Sequence, residues 1–172
     1  MTEPPPEFSR FVPLARFGAG PFRLEIAATP DECAALALRF CLLGVDRLRA
    51  AVVLQRQPDE TILLDAEFEA AFTQECVVSL DPAPGTVAER FTLRYGPAEA
   101  EPEGDGGAGD DPAFEPLAGD AIDIGEAVAQ EFALALPPFP RAPGAEVEPG
   151  AAGDDDGPFA SLARIGKPPT PG

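Results

Sequence analysis

The sequence predicts an α+β domain in which a twisted antiparallel sheet packs against helices. Four segments alternate apolar and polar residues as half-buried strands do, and two segments carry apolar residues at helical spacing. With 172 residues, of which 22 are proline and 17 are glycine, the chain has room for one ordinary domain with irregular attachments. We therefore expect a single domain over residues 1–140 and a flexible acidic tail over residues 141–172, with a short apolar segment at 158–165.

The first predicted strand and the first predicted helix are adjacent in the chain. Along residues 22–28 apolar and charged side chains alternate, which is typical of a half-buried strand. Thr29 is expected to cap a helix that has Pro30 at its first position and runs to Leu43, with Gly44 as its stop. Its buried face would consist of Cys33, Leu36, Ala37, Phe40 and Leu43.

Three more alternating segments follow, with a turn predicted at residues 58–60 between the first two. The polar side of the first segment carries Arg47 and Arg49, and that of the third carries Arg90 and Arg94. Neighbouring antiparallel strands with charges in this order would pair arginine with carboxylate across one solvated face, each exposed pair contributing about 0.2–1 kcal/mol. The carboxylates of the middle segment are Asp65, Glu67 and Glu69.

An apolar helix is predicted over residues 121–136. Asp123 and Glu126 have the spacing of a capping box, in which the first side chain accepts from a free backbone N–H and the second reaches back to the cap. The apolar stripe consists of Ile124, Val128, Phe132 and Leu136, widened by Leu134. This stripe either covers the sheet or docks on a partner, and we favour the first because an exposed stripe this apolar would aggregate.

Two acidic segments flank this helix in a chain of net charge -18. Residues 96–120 hold eight acids and no base, and residues 137–157 hold five acids and one arginine. Both segments lack the apolar content that offsets the entropy of chain ordering. We therefore expect a disordered acidic linker over 96–120 and a solvated tail after the helix.

The composition argues against an enzyme. The chain has no histidine, and its one lysine lies in the tail, so histidine-dependent nucleophiles, general bases and zinc sites are excluded. The carboxylates Asp65, Glu67 and Glu69 would point to solvent, where nothing raises their pKa. We expect no catalytic residue, no cofactor, no metal and no small-molecule substrate.

Three cysteines, an odd number without framework spacing, indicate a reducing compartment. The first residues have neither a basic n-region nor an apolar h-region, and no apolar stretch approaches the length that spans a bilayer. These observations predict a cytoplasmic protein without a membrane partner.

The arginines of the sheet allow a second interpretation. Arg47, Arg49, Arg90 and Arg94 could form a basic face that contacts RNA directly. Cross-strand pairing with the acids of the middle segment is favoured over this, because a surface of net charge -18 repels phosphate at long range.

Five segments taken in order resemble the bacterial YceD family: FSRFVPLARF at 8–17, TPDECAALALRFCLLGVDRL at 29–48, QECVVSLDP at 74–82, AIDIGEAVAQEFALALPPFPRAPG at 121–144 and GPFASLARIGK at 157–167. The resemblance implies a non-enzymatic role in the accumulation of large-subunit ribosomal RNA and thus in ribosome assembly. Many relatives carry C-x-x-C at the position of Cys76. In this chain Ser79 replaces the second cysteine, which excludes a zinc-stabilised form.

Charge and resemblance together suggest an acidic adaptor that acts through basic partners such as ribosomal proteins or large-subunit assembly factors, with rRNA contacted indirectly. A purely structural module of another complex is a further alternative. The candidate docking residues are Phe139 and Arg141 after the second helix, and Phe159, Leu162 and Ile165 in the tail.

Overall fold

The computed structural model describes residues 6–16, 18, 20–100, 112–117 and 119–146. Within these ranges the chain forms seven β-strands and two α-helices. Five strands make one sheet and two make a short ribbon. The predicted α+β fold, with a largely antiparallel sheet against helices, is confirmed.

The elements follow one another in this order: β1 (Phe11–Pro13), β2 (Phe22–Ala27), α1 (Pro30–Arg39), β3 (Gly44–Arg56), β4 (Ile62–Glu75), β5 (Pro82–Gly96), β6 (Ala113–Pro116), β7 (Ala121–Asp123) and α2 (Ile124–Ala135). The five-stranded sheet has the order β2-β3-β4-β5-β6, antiparallel except for the parallel β5–β6 pair. The ribbon pairs β1 with β7.

The alternation predicted for β3 and β4 is confirmed. Their inner face, which is buried, faces the helices and the ribbon, and their outer face is solvated. The predicted turn between these two strands is also present, with a hydrogen bond from the Gln57 N–H to the Thr61 carbonyl. The buried inner-face side chains are Leu48, Ala50, Val52, Leu54, Ile62, Leu64, Ala66, Phe68, Ala70 and Phe72.

The N-terminus of α1 is capped as predicted. The Thr29 hydroxyl accepts from the Glu32 N–H, and the Glu32 carboxylate accepts from the Thr29 N–H. Arg10 also donates to both oxygens of this carboxylate, at 2.7 and 2.8 Å. The Arg10 hydrogen bonds, with those from Thr29, lower the pKa of Glu32 to about 2.

The C-terminus of α1 differs from the prediction, since the helix ends at Arg39 and not at Leu43. Cys41 takes the left-handed conformation, with φ of 55°, that was expected of Gly44. The N–H of Cys41 donates to the Leu38 carbonyl and the N–H of Leu42 to the Ala37 carbonyl, which is a Schellman motif. Gly44 therefore begins β3 instead of stopping the helix.

The expectation of a disordered linker over residues 96–120 is wrong for residues 113–116, which form β6 along β5. Phe114 supplies the apolar contact, because its ring lies so close to Gly96 that a Cβ there would be 3.0 Å from it. The Leu117 N–H then donates to the Gly96 carbonyl at 2.8 Å. Phe114 and Leu117 thus both contact the end of β5 from within an acidic segment.

Helix α2 covers the sheet, as favoured, and its stripe is core. Ile124, Val128 and Phe132 are fully buried. The Phe132 ring packs edge-on against Phe72 of β4 and Phe40, with ring centroids 5.6 and 5.9 Å apart. Leu134, which was expected to widen this face, instead points to solvent and is 79% exposed.

Only one half of the capping box predicted for α2 is present, namely the half made by Asp123. Asp123 accepts from the N–H groups of Gly125 and Glu126. The Glu126 carboxylate does not reach back to the cap, because it binds Arg39 of α1 instead. Asp123 also accepts from the Arg10 N–H, which holds Arg10 and its neighbour Ser9 against the start of the helix.

Candidate contact surfaces

The outer face of the sheet carries the charged side chains of the alternating strands. Arg49 and Glu69 lie opposite each other in the β3–β4 register and form an ion pair. The Arg90 guanidinium donates to both oxygens of Asp65, at 2.9 and 2.6 Å, and lies 3.7 Å from Glu67. The predicted cross-strand pairing of basic, acidic and basic strands is confirmed.

These ion pairs also affect the candidate RNA face. Arg47 lies 4.0 Å from Glu69. Of the four arginines of this face, Arg47, Arg49 and Arg90 therefore face carboxylates that neutralise them. Arg94 lies opposite Leu63, and its Nε has no hydrogen-bond partner among the described residues. As a whole, this face presents alternating charges and no continuous basic surface.

The outer face forms a broad groove of about 870 Å³ between β2 and β5. Charged side chains of both signs line it, with alanines between them. The groove residues of this face are Glu25, Ala27, Arg49, Ala51, Glu67, Glu69, Ala88 and Arg90.

Exposed apolar side chains lie near the C-terminal end of α2, away from its N-terminal cap. The Val77 N–H donates to the Pro140 carbonyl, which places the β4–β5 turn beside the chain that leaves α2. The Leu43 N–H donates to the carbonyl of Thr73, two residues before the end of β4, so Leu43 lies on the same side of the sheet end as this turn. We call the exposed side chains of Leu43, Val77, Leu80 and Phe139 the apolar end.

The apolar end has an acidic border. Asp46 lies in β3, three residues after Leu43, while Glu75 and Asp81 flank the β4–β5 turn, and all three are exposed. Phe139, a predicted docking residue, is 78% exposed here, and the neighbouring Arg141 is also exposed. Exposed apolar side chains beside carboxylates suit a partner that offers apolar and basic groups together.

Cys76 holds the β4–β5 turn from within. Its buried Sγ accepts from the N–H groups of Val78 and Ser79, both at 3.4 Å. Hydrogen bonds from the Ser79 hydroxyl and from the Ala142 and Ser79 N–H groups lower the pKa of the thiol to about 6. The thiol therefore fixes both the turn and the chain after α2, which together position the apolar end.

The docking candidates Phe159, Leu162 and Ile165 lie outside the described residues. Sequence reasoning missed Leu43, which was assigned to the buried face of the first helix, and Val77 and Leu80, which were assigned no role. The odd apolar residues of the β4–β5 turn were the available signal, since turns are ordinarily polar.

Across the described ranges, no three metal-ligating side chains come together, and no helix is long and apolar enough to cross a membrane. What the fold presents is a small acidic α+β domain with contact surfaces.

The YceD family model, described as large ribosomal RNA subunit accumulation protein YceD, matches residues 64–161, which is more than half of the 172 residues. The chain belongs to the YceD family. Comparison with curated proteins and with solved structures finds no match.

Proposed function

We propose that this protein is a non-enzymatic adaptor in assembly of the large ribosomal subunit, and that it acts in the cytoplasm through basic partners. The family description supports the connection with large-subunit rRNA. The observation that carries the adaptor role is the apolar end with its border of carboxylates. Its partners would be ribosomal proteins or assembly factors whose basic surfaces include an apolar contact.

Charge supports a protein partner over RNA. The net charge of -18 repels phosphate at long range and attracts basic proteins, which speeds their association. Three of the four arginines that might offset this repulsion locally, Arg47, Arg49 and Arg90, are held by Asp65, Glu67 and Glu69. Direct RNA binding would have to break these ion pairs.

Apolar contact supports a docking role at one end of the molecule. Leu80 and Phe139 are 69% and 78% exposed, and Val77, in the same turn as Leu80, donates to the carbonyl of Pro140 next to Phe139. Covering such side chains with a partner removes apolar surface from water at roughly 25 cal/mol per Å². The acids would orient the partner, and the apolar side chains would hold it.

The test is sedimentation of a cell lysate through a gradient at low and moderate salt. We expect the protein in fractions that contain large-subunit precursors, with less of it there at moderate salt because charge attraction is screened. Its depletion should lower large-subunit rRNA. Absence from these fractions at both salts, together with normal rRNA after depletion, would contradict the proposal.

The arginine face gives the competing outcome. If Arg47→Glu with Arg94→Glu removes the protein from the precursor fractions, and nuclease treatment releases the unmodified protein, direct RNA binding is supported instead. Co-purification with a complex unrelated to ribosomes would support the third interpretation, a structural module.

A further inference from the structure

Strand β2 is a free edge of the five-stranded sheet in the part of the chain that the structure describes. The Ala28 N–H donates to the Leu48 carbonyl, and backbone groups alternate along a strand. The N–H and carbonyl groups of Arg23, Glu25 and Ala27 therefore point away from β3 toward the open edge. Edges of this kind pair readily with another strand.

We propose that this edge pairs with the same edge of a second copy of the chain, antiparallel and centred on Leu24. In that register Arg23 lies opposite Glu25 of the second copy, and Glu25 opposite its Arg23. Each such pair exchanges both backbone hydrogen bonds, since both residues point their N–H and carbonyl groups outward.

The charges of the edge are self-complementary in this register. Arg23 and Glu25 are exposed on the outer face, and neither forms an ion pair with another described residue. This differs from Arg49 and Arg90, which are paired within the chain. Two copies would form two cross-strand ion pairs between Arg23 and Glu25.

The ends of the edge also match. One register step further, Ala27 lies opposite Pro21 of the second copy, and its N–H can donate to the Pro21 carbonyl. Proline has no N–H to return. The Ala27 carbonyl needs none, because it already accepts from Arg10 Nη2 at 3.1 Å. The missing N–H of Pro21 therefore leaves no carbonyl of Ala27 without a donor.

The inner face of β2 also favours pairing with a second copy of the chain. Inward side chains of β3 are buried, whereas Phe22 and Leu24 of β2 are only half-buried. In the proposed register Leu24 meets Leu24 of the second copy and Phe22 meets its Ile26. These contacts would cover apolar surface that the single chain leaves partly open, and the two sheets would become one sheet of ten strands.

The test is analytical ultracentrifugation of the whole chain from about 5 μM to about 1 mM, a range that detects dissociation constants from micromolar to millimolar. We expect a monomer–dimer equilibrium. Arg23→Glu and Glu25→Arg should each weaken it by about tenfold or more, because like charges then face each other across the edge. Glu60→Arg, an exposed charge reversal in the β3–β4 turn, should leave it unchanged.

A mixture of the two variants tests the register. Arg23→Glu mixed with Glu25→Arg should associate within about threefold of the unmodified chain, since every cross-strand pair is again of opposite charge. Circular dichroism establishes that each variant is folded. In the unmodified chain, hydrogen exchange of the Arg23 and Glu25 amides should slow as concentration rises.

Three results would overturn the proposal. One is a monomer at every concentration. Another is a dimer that neither charge reversal weakens, which would place the contact on another surface such as the apolar end. The third is slow exchange of the Arg23 and Glu25 amides in the monomer, which would mean that another part of the same chain already covers the edge.

Discussion

Arg39 joins the two helices through Glu126. Its guanidinium donates from Nη1 and Nη2 to the two carboxylate oxygens of Glu126, at 2.8 and 2.7 Å. Both side chains are mostly covered, at 30% and 19% exposed. Arg39 is the last residue of α1, and Glu126 lies in the first turn of α2. This pair connects elements 87 residues apart in the chain.

The first prediction concerns this ion pair. Arg39→Ala and Glu126→Ala should each lower the free energy of unfolding, and the double-mutant cycle should give a coupling of about 1 kcal/mol, reduced by residual solvent screening. Urea unfolding of the four proteins measures it. A coupling near zero would mean that the two helices are held by apolar packing alone.

The second prediction tests α2 as core. Phe132→Ala should cost about 3–5 kcal/mol, because it leaves a cavity between Phe72 and Phe40. Leu134→Ala on the same helix should change stability by less than about 0.5 kcal/mol, since its side chain is exposed. Equal effects of the two substitutions in thermal unfolding would contradict the observed orientation of the helix.

The third prediction concerns the close approach of the N-terminal segment to α2. A Cβ on Gly125 would overlap the Phe8 carbonyl oxygen and lie 2.9 Å from the Arg10 backbone nitrogen. Gly125→Ala should therefore destabilise by about 2 kcal/mol, despite the helix preference of alanine. Gly44→Ala, where the Cβ meets open space, is the matched control. Similar stability of both variants would show that the segment does not pack as described.

The fourth prediction is a pH dependence that comes from Cys76. Its pKa is lowered to about 6 in the folded protein, whereas an unfolded cysteine titrates near ~8.5. Between these values the unfolded state holds the proton that the folded state has released. Stability should therefore rise with pH over this range, and the contribution should disappear as pH falls below about 6.

Because the chain has no histidine, no imidazole titrates in this pH range to obscure the contribution of Cys76. Urea unfolding in reductant at several pH values compares the chain with Cys76→Ser, which should lose the slope. Cys41→Ser, a change at an exposed thiol, should keep it. An unchanged slope in Cys76→Ser would show that the thiol does not titrate near pH 6.

Local patterns were enough to predict much of the fold. The alternation along β3 and β4 predicted their inner faces and the cross-strand ion pairs, and Thr29 followed by Pro30 predicted the start of α1. These features depend on neighbours in the chain or on adjacent strands. The prediction of the end of α1 was wrong because Cys41 adopts a left-handed conformation, which is ordinarily expected of glycine.

The contact surfaces were harder to predict, because they depend on distant parts of the chain. Val77 and Phe139 are brought together by one backbone hydrogen bond from Val77 to Pro140. The open edge of β2 is visible only once the strand order is known. Similarly, β6 depends on the contact of Phe114 with Gly96, which the acidic composition around it concealed.

The central claim is that the apolar end docks on large-subunit assembly intermediates. The most direct measurement compares, in gradient fractions of a lysate, the share of the protein that sediments with large-subunit precursors. Leu80→Ser with Phe139→Ser should reduce this share severalfold. Phe11→Ser, which alters an exposed side chain beside the opposite end of α2, should not. Equal co-sedimentation of all three proteins would contradict the account.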